Sequence, residues 1–114
     1  MIVTTDKYSV EFKKDDREVI LKGTLRLQDK EQYRQIYDIL LKSATETSRF
    51  PLKINISGLK FLNSSGISSL SLFIIQMRKQ EKDIVFLGNK SIPWQVSSLK
   101  NFQKLYSKIE IILN

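Results

Sequence analysis

Ser57-Gly58-Leu59-Lys60-Phe61-Leu62-Asn63-Ser64-Ser65-Gly66-Ile67 is the stretch on which the reading of this chain turns. Before it lies a short apolar run, residues 52–57, with Ile54 and Ile56 on one face; after it the apolar positions take on helical spacing. The stretch therefore joins a strand to a helix and sets two hydroxyls where that helix begins. A helix start directs free N–H groups and the positive end of the backbone dipole at whatever the first hydroxyl carries, so a phosphate on Ser64 would be well accommodated. The same residues also read as a helix cap and tight turn with no modification, because Asn and Ser favour such positions.

Upstream, residues 8–12 alternate apolar and polar, Lys13-Lys14-Asp15-Asp16-Arg17 is a charged turn, and residues 18–25 supply a second extended run through Val19, Ile20 and Leu21. That pattern is a hairpin. Asp29 can cap a helix over residues 30–45, whose apolar positions Tyr33, Ile36, Tyr37, Leu40 and Leu41 recur at spacings of three and four. Phe50-Pro51 then punctuates the entry to the strand at 52–57.

Downstream, Ile67, Leu70, Ile74 and Met77 form one stripe that Leu72, Phe73 and Ile75 widen, which predicts a largely buried second helix. Its polar side holds Ser68, Ser69 and Ser71, a solvated or partner-facing strip. Residues 83–88 read as a strand through the apolar run Ile84-Val85-Phe86-Leu87. Ser91 or Asn89 is expected to cap a third helix with Pro93 in its first turn, broken at Asn101 before a last turn near Leu105 and Tyr106. Trp94 reads as packing for that helix, with a binding hot spot as the alternative. Residues 109–113 close as a strand. Strands and helices in this order make an α/β fold, a mixed sheet with helices packed mainly on one face.

The 114 residues suffice for one domain, 1–114, and not two. With neither cysteine nor histidine the chain has no thiolate, no disulfide, no imidazole base and few means of holding a transition metal. Its Asp and Glu residues show no paired spacing that would mark a general acid and base, so the reading is not an enzyme, with no cofactor, no metal and no catalytic residue. No apolar stretch approaches the length of a membrane span and the amino terminus lacks a secretory pattern, which predicts a cytoplasmic protein with no membrane partner. The net charge of +7 is uneven: residues 1–48 carry nine basic and nine acidic side chains, residues 49–114 ten basic and three acidic. A nucleic-acid module would use that excess, yet the lysines are scattered among core positions without an aromatic-plus-basic cluster, which argues against it.

The run Asn55-Ile56-Ser57-Gly58-Leu59-Lys60-Phe61-Leu62-Asn63-Ser64-Ser65-Gly66-Ile67 resembles the signature of the STAS domain, the fold of bacterial anti-sigma factor antagonists. The family's usual run reads Asp-Leu-Ser-Gly-Val, two further residues, an apolar residue and Asp-Ser-Ser-Gly-Leu. Gly23-Thr24-Leu25 is similar to the Gly-x-Leu that closes the family's second strand, and Leu87-Gly88 followed by Pro93 fits its fourth strand and third helix. The resemblance implies a non-enzymatic partner-switching module in signal transduction. By position it makes Ser64 the phosphorylation site and places partner binding on Asn63, Ser64, Ser65, Gly66, Ser68 and Ser69. It implies as partners a serine kinase or anti-sigma factor of the histidine-kinase-like ATPase fold and a metal-dependent serine phosphatase. An adaptor that uses the same face without phosphorylation is the alternative, and a basic nucleic-acid-binding module the second. Both family aspartates are asparagine here, Asn55 and Asn63, and the acid that often follows Gly-x-Leu is Arg26. Three negative charges are thus missing from one neighbourhood, which favours a partner of acidic character.

Overall fold

The charged turn does reverse the chain. In a computed structural model, which describes every residue from Met1 to Asn114, β2 (Tyr8–Lys13) and β3 (Glu18–Leu25) pair antiparallel with Lys13 opposite Glu18, and Arg17 in the turn has φ 53°. A three-residue strand, β1 (Ile2–Thr4), pairs antiparallel with the outer side of β2. No sequence pattern announced it, because three residues are too few to show alternation.

The parallel half of the sheet follows through helical crossovers. Helix α1 (Lys30–Glu46) is capped by Asp29, whose side chain accepts the Glu31 N–H at 2.9 Å. Strand β4 (Leu52–Leu62) follows a cis Phe50–Pro51 peptide, then come α2 (Ser64–Lys79), β5 (Ile84–Gly88), α3 (Pro93–Leu105) and β6 (Glu110–Leu113). The six strands lie in sequence order, with β3, β4, β5 and β6 mutually parallel. The core gathers the inward side chains of β2 through β5 under Tyr33, Ile36, Leu40, Leu70, Phe73, Ile74, Met77, Leu99 and Phe102 from the helices. Phe86 and Phe102 pack with ring centroids 5.6 Å apart.

Four expectations need correction. The connecting stretch is mostly strand: β4 continues beyond Ser57 to Leu62, because two register shifts against β3, between Ile20 and Lys22 and between Gly23 and Thr24, let it keep its pairing. Leu72 does not widen the buried stripe but is 56% exposed. Neither Ser91 nor Asn89 caps α3; Ile92 stands at the cap with no side-chain bond, while Asn89 Oδ1 accepts the Ser91 N–H at 2.8 Å in a tight turn. Asn101 does not break α3, which runs on to Leu105, since an exposed Asn costs a helix only a few tenths of a kcal/mol against Ala, roughly.

Strand β4 outruns β5. Its pairing with β5 ends at Asn55 opposite Leu87, so carbonyls beyond that point need partners from elsewhere. Helix α3 supplies them. Gln95, fully buried, donates from Nε2 to the Ile56 carbonyl at 2.6 Å and the Leu59 carbonyl at 2.9 Å, and its Oε1 accepts the Asn89 N–H at 2.8 Å. Trp94 Nε1 donates to the carbonyls of Leu59 and Lys60 at 3.2 and 3.0 Å, which gives Trp94 a packing role. Replacing Gln95 by Leu keeps the volume and strands three buried groups. At ~1–3 kcal/mol for each such group, relieved in part because Trp94 still serves Leu59, the expected loss of stability is about 2–4 kcal/mol in urea titration; a loss under about 0.5 kcal/mol would contradict the assignment.

Candidate functional site

Asn63 ends β4 and begins α2, and its side chain decides the geometry of the joint. Oδ1 accepts the Gly66 N–H at 3.1 Å, which caps the helix. The same oxygen accepts a hydrogen bond from the Tyr33 hydroxyl, which also lies 3.2 Å from the Leu25 carbonyl; one phenolic proton serves the two acceptors. Nδ2 donates to the Leu27 carbonyl at 3.0 Å. One amide thus ties the start of α2 to α1 and to the segment that leads into α1.

Gly66 is needed here for space. A Cβ on it would fall 2.2 Å from Leu62 Cδ1 and 2.9 Å from the Tyr33 hydroxyl, so the first turn of α2 lies directly on the end of β4 and on Tyr33. Ser64, the first residue of α2, and Ser65 are exposed, Ser68 is exposed one turn further on, and Ser69 is half-buried beside it. Ser71 folds its hydroxyl back onto the Ile67 carbonyl at 2.9 Å. Five of the six residues that the motif singles out lie within the first turn and a half of α2, with Asn63 as their cap.

Beside them runs a groove of about 430 Å³ between α1 and α2, lined by Asp29, Lys30, Tyr33, Arg34 and Tyr37 on one wall and Ser65, Ser68, Ser69 and Leu72 on the other. Sequence reading missed this wall of α1 and misplaced Leu72. The available signal was the exposed i, i+4 succession of Lys30 and Arg34 on the side of α1 that carries Tyr33 and Tyr37.

Both asparagines that replace the aspartates of the STAS pattern donate hydrogen bonds a carboxylate could not make. Asn55 Nδ2 donates to Glu18 Oε2 at 2.8 Å, while its Oδ1 accepts from the N–H and the hydroxyl of Ser57 at 3.0 and 2.6 Å. Asn63 does the equivalent with Leu27. Arg26, at the place of the third missing acid, sets its guanidinium 4.4 Å from the centre of the Phe61 ring.

The order of strands, the one-sided helices and the helix start immediately after the β4 end define a STAS-like fold. No family model matches the chain, and no curated protein does. Among solved structures, a chain in the crystal structure of the diguanylate cyclase SiaD with its activator SiaC, from Pseudomonas aeruginosa, superposes with a TM-score of 0.73 at 13% identity over 100% of this chain and 99% of that one. The crystal structure of apo-SiaC from the same organism gives 0.73 at 13% identity, covering 98% and 93% of the two chains. A further structure of SiaC gives 0.70 at 13% identity over 98% and 95%. At that identity the likeness is one of fold.

Asn63→Asp would keep the cap and lose the donor to Leu27, leaving a carboxylate oxygen against a carbonyl. The helix dipole returns ~0.3–1 kcal/mol, less than the ~1–3 kcal/mol of a part-buried acceptor left without a donor and set against a carboxylate, so the variant is expected to be less stable than the wild type at pH 7 by about 1 kcal/mol. A protonated carboxyl can again donate to Leu27, so the gap should narrow as pH falls through about 4; urea titrations at pH 7 and pH 3.5 check both signs.

Burial raises the Tyr33 phenol above its ordinary value of 10.0, a backbone hydrogen bond with Leu27 opposes this, and Tyr8 adds to it. The folded state therefore holds the proton more tightly than the unfolded chain. Its contribution to stability is full below pH 10 and is lost as pH rises through the raised folded value. Tyr33→Phe is expected to flatten the fall of stability above pH 10, measured as the difference between the two alkaline profiles.

Proposed function

We propose that this chain is a non-enzymatic regulatory module that docks a partner protein on the start of α2 and the adjoining groove, and that phosphorylation of Ser64 switches that docking off. The observation that carries the reading is the placement of Ser64. Its residue is exposed, it opens a helix whose cap is already supplied by Asn63, and nothing in the fold requires its hydroxyl. Along the same helix the groove wall runs from Ser65 to Leu72, about two turns away, where the exposed Leu72 and the half-buried Tyr37 give a partner apolar surface to cover, flanked by Lys30 and Arg34.

A phosphate there adds ~1.5–2 negative charges, of which the helix start offsets ~0.3–1 kcal/mol. The fold is therefore kept while the surface gains negative charge locally, and a partner that covers the start of α2 as well as the groove must desolvate the phosphate or leave. The partner classes follow the STAS reading: a serine kinase or anti-sigma factor of the histidine-kinase-like ATPase fold, and a metal-dependent phosphatase that resets the site. SiaC, which shares the fold, is the activator of a diguanylate cyclase, so an enzyme under allosteric control is a further class of partner to test. Absence of imidazole and thiol from the composition supports a binding role over a catalytic one.

Wild type, Ser64→Ala and Ser64→Asp, immobilised in parallel and exposed to native lysate, test the switch. The first two are expected to capture the same protein and the third at least tenfold less of it, a loss of about 1.4 kcal/mol. The intact mass of the protein from its native cell should show a fraction carrying one phosphate, absent from Ser64→Ala. Equal capture by all three proteins, or a phosphate that persists in Ser64→Ala, overturns the reading.

A further inference from the structure

The outer edge of β6 is an open pairing surface, and we propose that it joins a second copy of this chain in an antiparallel β6–β6 pair centred on Ile112. The direction of the backbone groups follows from the end of the strand. Asn114 donates its N–H to the Gly88 carbonyl at 3.2 Å and accepts the Lys90 N–H at 3.1 Å, so Asn114 faces β5. Alternation along a strand turns Glu110 and Ile112 the same way and directs the N–H and C=O groups of Ile111 and Leu113 outward, where the sheet has no further strand.

Natural edges are blunted by shortness, charged side chains, Pro, a bulge or a covering element. Glu110-Ile111-Ile112-Leu113 is short and has one charge, Glu110 at its start, but it carries no Pro, Lys or bulge, its four pairs with β5 run without a register shift, and Ile112 and Leu113 are 38% and 36% exposed. The strand is also self-complementary about a two-fold axis. With Ile112 facing its own copy, Ile111 lies opposite Leu113 of the second molecule and the reverse, so that the four outward backbone groups of each copy make four N–H···O bonds in all. Glu110 falls opposite Asn114, a carboxylate against a neutral side chain. Ile112 extends the helix-free face beside Leu87, and Leu113 lies on the helix side, where its Cδ2 would stand 2.9 Å from a Cβ on Gly88.

β1 also offers an edge, but it is one residue shorter, and a two-fold pairing centred on its middle residue Val3 brings Thr4 opposite Ile2, which sets a hydroxyl against an apolar side chain. A dimer through β6 makes a twelve-stranded sheet with all helices on one side. Because the two central strands run in opposite directions, the starts of the two α2 helices point to opposite ends of the dimer, and two partners could be held without touching.

Sedimentation from micromolar to millimolar concentration is expected to show a reversible monomer–dimer equilibrium. Ile112→Lys and Ile112→Glu, each placing like charges face to face on the axis, should weaken it at least tenfold, with unchanged circular dichroism; an equal mixture of the two should recover the dimer. The chain has no cysteine, so Ile112→Cys provides a clean cross-link: facing residues in such a pair have Cα atoms about 4.5 Å apart, within disulfide reach, and mild oxidation should give a covalent dimer while Ile2→Cys does not. A wild type that stays monomeric at millimolar concentration, an Ile112→Lys that associates as strongly as the wild type, or equally fast cross-linking at Ile2 would each overturn the proposal.

Discussion

The amide of Asn63 is the single interaction on which the site depends. Three parts of the chain meet there: the end of β4, the start of α2, and the segment from Leu25 to Tyr33 that leads into α1. An amide suits the place because it offers an acceptor on one side and a donor on the other, and the surroundings present one of each kind. A serine would cap the helix equally well and leave the Leu27 carbonyl without a partner. The cap thus fixes more than a helix end. It fixes the distance between α1 and α2, and with it the groove that Leu72 and Tyr37 line.

That accounts for a feature which from sequence looked only like loss. Replacing two aspartates by asparagines removes charge, and the natural inference is a change of partner. Locally each asparagine is bonded as a donor, Asn55 to a carboxylate and Asn63 to a carbonyl. An aspartate at position 55 would face Glu18 with like charge. The substitutions are therefore matched to this chain's own neighbours, and the less acidic surface follows from internal bonding as well as from any preference of a partner.

What could be read from sequence, and what could not, divides by the range of the interaction. The hairpin, the Asp29 cap and the helix after Asn63 follow from patterns within about ten residues, the one-sided packing follows from the order of those elements, and these were legible. The extent of β4 was not. The apolar run suggested a strand ending at Ser57, while it continues because Gln95 and Trp94, more than thirty residues away, take over its carbonyls. Leu72 failed for a related reason. Periodicity places it near the apolar stripe, but which side of a wide stripe is covered depends on how close α1 comes, and that distance is set by Asn63, Gly66 and Tyr33. For the α1 wall of the groove the only local signal was the succession of Lys30 and Arg34 beside Tyr33 and Tyr37, and no local pattern says which neighbouring helix that face looks at.

The two long-range devices act at the same end of the sheet. Gln95 and Trp94 hold the β5-facing side of β4 beyond the last strand pair, and Asn63 and Tyr33 hold its β3-facing side and the chain that follows. Between them β4 projects past β5 as a supported arm, which carries the first turn of α2 at the rim of the molecule. Here the start of α2 stands clear, with buried polar side chains on both flanks taking up the backbone groups that the missing strand would otherwise have paired. Rigidity and exposure, which usually oppose each other at a loop, are obtained together because the support comes from the interior and leaves the outer surface of Ser64, Ser65 and Ser68 free.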